Sequence, residues 1–170
     1  MELPTEKKNA VVAAWLARVI EDYSESSARF FRDEKDPFRN PIGDAFRRGL
    51  PVLFDQLVGP MDPARLTPAL EEIIRIRAVQ DFTASQALTF IFQLKSVLRE
   101  QLGDRPPEIE ERIDEMALLA FDLYQQCREQ LSEIKVNEIK KRYFLLEKMH
   151  PFFAQSDKEA NTDEPRRDAT

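Results

Sequence analysis

The segment Ala87–Leu102 constrains the fold of this chain more than any other. On a helical wheel its apolar residues fill more than half of the circumference, and one narrow arc holds the polar residues Gln86, Thr89, Gln93, Ser96 and Glu100. A helix that is apolar over so much of its surface is usually covered by neighbours on several sides. The segment therefore predicts an all-α, multi-helix bundle of which it forms the central helix.

The composition agrees with long helices and a soluble chain. Only 4 of the 170 residues are glycine, whereas strand-and-turn folds need glycine at turns with positive φ. The net charge of -6 argues against nucleic acid as a partner, since a nucleic-acid binder usually carries a basic patch. We expect one helical domain over residues 1–153 and a polar, disordered tail over residues 154–170.

The chain shows no sign of export or of membrane insertion. No run of about 18 uncharged apolar residues is present, and the first residues lack the apolar core of a signal peptide. The single cysteine, Cys127, excludes an internal disulfide and suits a reducing compartment. We therefore expect a cytoplasmic protein.

Capping signals divide the first hundred residues into helices. Asn40-Pro41 and Asp62-Pro63 each place a capping side chain before a proline at the first helical position, and Thr83 with Gln86 forms a capping box. Thr67-Pro68 repeats the first signal, so that either a short helical turn precedes the next helix or both caps act in series. Weaker cap signals stand at Thr5 and at Ser24 or Ser26, and Pro51 predicts a kink inside its helix.

From Pro107 to Met149 nothing breaks a helix, which predicts a long C-terminal helix. One helix of that length would span roughly 64 Å, whereas a compact domain of this size has a radius of gyration of only about 15–16 Å. The apolar stripe also changes face after Ile134. Either the helix bends near residues 135–137 or its last third packs on a different partner, which could be a second subunit.

The predicted interface lies on this last third. Four apolar residues continue on the rotated face: Val136, Ile139, Tyr143 and Leu146. Basic residues stand among them, and such a helix can contact a membrane surface or an acidic partner. The acidity of the whole chain favours a contact between helices or subunits.

Several polar residues are candidates for a ligand or ion-pair site, namely Arg75, Arg77, Lys95, Asp122 and Tyr124. Lys95 interrupts the apolar arc of the central helix, where it either snorkels to water or pairs with a carboxylate such as Asp81, Asp122 or Glu138. Arg75 and Arg77 could clamp an anion, but arginines in this position more often tie a helix terminus to its neighbour.

No catalytic or metal-binding pattern stands out in the sequence. One cysteine and one histidine cannot build a zinc site of the usual kind, and His150 precedes a proline near the predicted tail, which is a poor position for a haem ligand. Glu110 and Asp114 fall on the predicted solvent face of the last helix. We expect no enzyme activity and no cofactor.

The chain from about Trp15 to Tyr143 resembles the N-terminal domain of the RsbRD-type RsbT co-antagonist proteins. The densest match is the run Ile73–Ala87, followed by Phe90–Lys95, and shorter matches lie at Ala120–Tyr124 and Val136–Lys140. In that family the domain is an all-helical sensory or interaction module placed before an output domain. The broader co-antagonist proteins carry dimeric, globin-like N-terminal domains without haem.

The resemblance therefore implies a non-enzymatic signalling or interaction module, a globin-like topology and a homodimer. The sequence ends at Thr170 without a segment that resembles a STAS output domain, so we expect a stand-alone module that acts by binding another protein. A rival hypothesis is a small-molecule or cofactor sensor, with a pocket between the central and last helices near Lys95 and Tyr124. Stand-alone homologues are associated with anaerobic sulfur- and metal-metabolising bacteria, which makes an accessory role to a redox complex a further hypothesis.

Overall fold

The structure is a computed structural model that describes the backbone of residues 3–80, 82–103 and 107–160 and the side chains as far as residue 148. Within these ranges the chain is all-α and contains no strand. The helices are α1 (Thr5–Glu21), α2 (Glu25–Asp33), α3 (Pro41–Val58), α4 (Pro63–Val79), α5 (Ala84–Leu102) and α6 (Pro107–Ala160). The predicted helical class and the long C-terminal helix are confirmed, whereas a globin-like topology stays a prediction.

The strongest capping signals begin helices where the sequence predicts them. Asn40 accepts a hydrogen bond from the Gly43 amide at the start of α3, and Thr83 and Gln86 form the complete capping box of α5. Ser24, rather than Ser26, caps α2. Gly103 ends α5 with a φ of 73°, a left-handed conformation that glycine adopts without a steric penalty.

The start of α1 differs from the prediction, and the start of α4 decides between the two predicted alternatives. Thr5 is the first residue of α1 rather than its cap, because the Pro4 carbonyl already accepts the first helical hydrogen bond, from the Lys8 amide at 3.0 Å. In α4 the Asp62 side chain caps the helix, which continues through Thr67 and Pro68 without a separate turn. Pro51 lies inside α3, and the kink predicted there stays a prediction.

The chain divides into two compact units, Met1–Arg128 and Glu129–Thr170, and the division falls within α6. The core of the first unit draws on α1, α3, α4 and α5 and on the first part of α6, where Ile109, Ile113, Met116 and Ala120 are buried. In α5 the predicted apolar arc is largely buried, with Phe92 as an exposed exception.

Arginines from neighbouring helices bind the C-terminal turns of four helices in the first unit. At the end of α1 Arg77 donates to the Val19 carbonyl, and at the end of α2 Arg47 donates to the Phe31 carbonyl. Arg112 donates to the Leu57 and Gly59 carbonyls at the end of α3, and Arg128 donates to the Ala78 carbonyl of α4. These carbonyls lack a partner within their own helix or lie near the negative end of its dipole, so a cation stabilises them.

The second unit is helical, and α6 continues without interruption across residues 135–137, where a bend was one of the two alternatives. The predicted boundary between residues 153 and 154 lies within α6, while residues 161–170 lie outside the described part of the chain. The division into a domain and a tail therefore stays a prediction.

Asn40→Ala should destabilise the protein more than the loss of an ordinary helix cap. The Asn40 side chain is fully buried, and its amide donates to the Phe31 and Glu34 carbonyls at 3.1 and 2.8 Å while its oxygen accepts from Gly43. Losing the cap costs about 1 kcal/mol, and carbonyls deprived of a donor add about 1–3 kcal/mol. We expect a loss of about 2–4 kcal/mol in the free energy of unfolding, measured by urea denaturation.

The matched control is Ser24→Ala, which removes an exposed cap of α2 and should cost about 1 kcal/mol or less. If the two variants lose equal stability, the buried amide of Asn40 does not hold the α2–α3 loop as the geometry implies.

Candidate functional site

The most elaborate polar arrangement in the first unit surrounds the buried guanidinium of Arg77, near the end of α4. The Arg77 side chain is completely inaccessible to solvent. Its Nη2 lies 2.9 Å from Asp22 Oδ2, and its Nη1 donates to the Gln86 carbonyl in the first turn of α5 at 3.0 Å. One side chain therefore joins α4 to the end of α1 and to the start of α5.

Aromatic rings enclose the same guanidinium. The distances from Arg77 Cζ to the ring centroids are 5.8 Å for Tyr23, 5.8 Å for Phe46, 5.2 Å for Phe82 and 5.1 Å for Phe90. A desolvated cation gains electrostatic energy from ring faces at such distances, which offsets part of the cost of its burial. Asp22 has a second partner, the Gln93 side-chain amide, at 2.9 Å.

Burial changes the acidity of the phenol beside this guanidinium. Desolvation raises the pKa of Tyr23 to about 12, although the positive charge of Arg77 partly opposes the shift. The Tyr23 hydroxyl donates to Gln80 Oε1 at 3.0 Å, and its ring makes edge contacts with Phe31 and Phe82. Tyr23 therefore serves as a neutral wall of the cluster.

The structure separates the two arginines of the predicted pair. Arg77 takes the helix-tying role, whereas Arg75 is exposed and pairs with Glu71 one turn earlier in α4 at 2.5 Å. Sequence reasoning missed Asp22 and Gln93 as partners of Arg77. The adjacent Asp22-Tyr23 pair, which directly follows α1, was the available signal, but only the tertiary structure shows which cation it meets.

Lys95 lies on a different face of α5 and is paired with carboxylates. Its Nζ is 2.6 Å from Asp114 Oδ1 and 3.3 Å from Glu110 Oε2, and the hydrogen bond to Asp114 raises the pKa of Lys95. Asp114 lies exposed, as predicted for the solvent face of the last helix, whereas Glu110 is partly buried. The side chain is about a quarter exposed, at 24%, so the arrangement is a partly screened ion pair at the edge of the bundle.

The other members of the predicted ligand site lie apart from this pair. Asp122 is exposed, and Asp81 lies outside the described residues. The Tyr124 hydroxyl donates to the Phe82 carbonyl at 2.5 Å. Of the proposed set, Lys95 and Tyr124 thus already have partners within the chain.

A groove between α3 and α4 is a separate surface feature of the first unit. It has a volume of about 770 Å³ and is lined in part by Arg75 and by the α2–α3 turn. Phe38 on that turn is 96% exposed, while hydrogen bonds to Asp36 hold the backbone beside it. Charged residues along the groove are paired within the chain, since Arg48 contacts both Asp44 and Glu72.

The second unit exposes the apolar residues that the sequence assigned to an interface. We call this set the α6 seam, and its exposed fractions are 45% for Val136, 66% for Ile139, 71% for Tyr143 and 67% for Leu146. Ile134, Phe144 and Leu145 are also more than half exposed. A contiguous exposed apolar surface of this kind marks a site of interaction more often than a single exposed side chain does.

Two other kinds of feature are absent from the described part of the chain. No helix there is long and apolar enough to cross a membrane. The described side chains also include no group of three or more His, Cys, Asp or Glu residues placed to hold a metal ion. His150 lies beyond the described side chains.

The fold and these surfaces define a helical-bundle module in which polar side chains tie helices together and apolar side chains on α6 are exposed. The chain belongs to the family of the RsbT co-antagonist protein rsbRD N-terminal domain, which it matches over residues 9–138. The resemblance carried by the run Ile73–Ala87 is thereby confirmed, and the family is related to signalling. No curated protein and no solved structure shows significant similarity to the chain.

Arg77→Ala should be far more destabilising than Arg75→Ala, although the two residues lie two positions apart on one helix. Removing Arg77 leaves the Asp22 carboxylate without its cation and opens a cavity, which costs about 3–5 kcal/mol. The exposed Arg75 should contribute less than about 0.5 kcal/mol. Urea unfolding, followed by fluorescence of the single tryptophan, Trp15, measures both.

A second variant separates charge from volume at this position. Arg77→Met fills much of the space but leaves Asp22 unpaired, so the double variant Arg77→Met with Asp22→Asn should recover part of the lost stability. Equal effects of Arg75→Ala and Arg77→Ala would show that the buried guanidinium does not hold the three helices.

Tyr23 should ionise at a higher pH than an ordinary phenol. The difference between the 295 nm titrations of the wild-type protein and Tyr23→Phe isolates this one phenol, and its midpoint should fall near pH 12 rather than near the ordinary 10.0. The folded state retains the proton after the unfolded state has lost it, so Tyr23 contributes stability below pH 10 that is lost as the pH rises towards 12. A midpoint near pH 10 in folded protein would contradict the burial of the ring.

Proposed function

We propose that this protein is a non-enzymatic signalling or interaction module that acts in the cytoplasm through protein–protein contacts. The observation that carries the proposal is the exposed α6 seam, because four large apolar side chains in helical register are costly to leave in water. The signalling-related family of the chain supports the same class of function.

We further propose that the seam mediates self-association into a homodimer. The four side chains recur at spacings of three and four residues and form one stripe about 80° wide on a helical wheel. A stripe of this width suits one partner helix. Neither nucleic acid nor a membrane is a proposed partner.

The polar cluster around Arg77 supports the absence of enzyme activity in this proposal. Asp22 binds both Gln93 and the guanidinium, and the guanidinium also binds a backbone carbonyl, so these hydrogen bonds join helices. A general acid, base or nucleophile would need a group directed at a substrate position.

A small-molecule sensor remains the second candidate, and the α3–α4 groove favours it. The volume of about 770 Å³ falls within the range of about 300–1,000 Å³ that ligand pockets occupy. Lys95 and Tyr124 have partners in the chain, and so does Arg48 in the groove, so the volume of the groove is the observation that favours this candidate. Native mass spectrometry of protein from its natural host tests it, since a retained small molecule supports the sensor. An accessory role to a redox complex has no supporting feature among the described residues.

Self-association through the seam should disappear when charges replace its centre. In sedimentation velocity over a concentration series, the wild-type protein should form a dimer, and Tyr143→Asp with Leu146→Asp should remain a monomer because a carboxylate cannot be buried in an apolar contact without a large cost. Urea unfolding should show that the first unit keeps its stability.

The matched control is Lys141→Asp with Lys148→Asp, which adds the same side chains on the opposite face of the same helical turns. It should leave dimerisation almost intact. If both double variants dimerise like the wild type, the interface lies elsewhere, and a wild-type protein that stays monomeric at every concentration excludes self-association.

A further inference from the structure

The spacing of the α6 seam residues and the charges beside them indicate how a partner helix would lie against the seam. Val136 and Tyr143 are seven residues apart, as are Ile139 and Leu146, which gives the alternating a and d positions of a heptad repeat. In this register Lys135 and Arg142 occupy g positions, and Glu133, Lys140 and Glu147 occupy e positions. All five charged side chains are exposed and therefore stand beside the seam where a second helix would meet them.

A parallel, in-register pair of these helices sets each g residue against the e residue of the next heptad on the other copy. Arg142 of one copy then faces Glu147 of the other, which is attractive. Lys135 faces Lys140, which is repulsive. By symmetry each contact occurs twice, so the attractive and repulsive pairs balance.

An antiparallel pair is less favourable for the same four seam residues. To bury all of them, Val136 must lie opposite Leu146, and Ile139 opposite Tyr143. Because g residues then face g residues and e residues face e residues, Arg142 meets Arg142, Lys140 meets Lys140, and Glu133 meets Glu147. Every one of these contacts is between like charges, which disfavours this orientation.

We propose that the occupant of the α6 seam is a second copy of this chain, arranged parallel and in register, with Arg142 of each copy paired to Glu147 of the other. The inference rests on the proposed self-association and adds its orientation and its register. The Lys135–Lys140 contact makes Lys140 the residue that weakens the pair. A dimer of this kind is reversible rather than permanent, because a short seam is stabilised by four apolar layers and carries one repulsive layer of charge.

Glu147→Lys distinguishes the two orientations by the sign of its effect. In a parallel pair it sets Arg142 against a lysine in two symmetric contacts and should weaken dimerisation about tenfold. In an antiparallel pair it sets Glu133 against a lysine and should tighten dimerisation. Sedimentation equilibrium of the full chain measures the dissociation constant of each variant.

The charge-swapped variant Arg142→Glu with Glu147→Lys has the wild-type net charge and restores the attractive contact between positions 142 and 147, which exists only in the parallel pair. Its dissociation constant should return to within about threefold of the wild-type value. Lys140→Glu converts the repulsive layer into an attractive one and should tighten the dimer about tenfold. The control is Lys141→Glu, which makes the same change away from the seam and should have little effect.

Cross-linking gives an independent measure of register. In a Cys127→Ser background, Ile139→Cys places two thiols opposite each other in a parallel, in-register pair, and oxidation should link the two chains. The matched variant Lys141→Cys, outside the seam, should link poorly.

The outcomes separate this inference from the proposed function. A wild-type chain that stays monomeric overturns the proposed self-association and this inference with it. A dimer that tightens on Glu147→Lys, is not rescued by the charge swap, or does not cross-link through Ile139→Cys leaves self-association in place and overturns only the parallel, in-register arrangement.

Discussion

The first unit depends on one recurring interaction, the hydrogen bond from an arginine of one helix to the last carbonyls of another. Helix ends carry unpaired carbonyls and a partial negative charge, and burying them without donors is costly. In this bundle the donors are Arg77 for α1, Arg47 for α2, Arg112 for α3 and Arg128 for α4. Because each arginine belongs to a different element from the carbonyl it binds, every such contact fixes the position of one helix end relative to another helix.

Arg77 is the most demanding case, since its guanidinium is fully buried. A buried charge is tolerated only when ion pairs and hydrogen bonds replace its hydration. Asp22 at the end of α1, the Gln86 carbonyl at the start of α5 and four aromatic rings supply these interactions. The network thereby determines where three helix termini meet. Desolvation at this position raises the pKa of Tyr23. A cluster whose hydrogen bonds join three helix termini has a structural role, which leaves binding to the surfaces.

The parts of the fold that sequence predicted are those determined by local chemistry. Asn40, Asp62 and Thr83 cap helices because the acceptor and the amide it binds lie within three residues of each other, so the spacing alone reveals the contact. The buried face of α5 follows in the same way from a periodic pattern. Arg77 and Asp22 are 55 residues apart, and no local pattern encodes their meeting.

The ion pairs of Lys95 also could not be predicted from a local pattern. A helical wheel shows which face of a helix is apolar, but it does not show how that helix is rotated against its neighbour. Asp114 is exposed, as the wheel predicts, and Glu110 is partly buried, but the wheel could not show that both carboxylates meet Lys95. The size of a single compact domain led to two alternatives for residues 135–137, a bend or packing of the last third of the helix on a different partner. That size argument does not apply to a chain that divides into two units.

The family match includes the residues that tie the helices together but only the start of the α6 seam. The match covers residues 9–138, a range that holds every residue of the Arg77 cluster and the arginines bound to helix ends. It ends within the α6 seam, so that Ile139, Tyr143 and Leu146 lie beyond it, as do Lys140, Arg142 and Glu147. The matched range therefore contains the described core of the bundle but only the first residue of the seam. The orientation of a partner helix on α6 therefore depends on the charges beside the seam. In the antiparallel arrangement that buries all four seam residues, these charged side chains meet side chains of the same sign, which disfavours that arrangement.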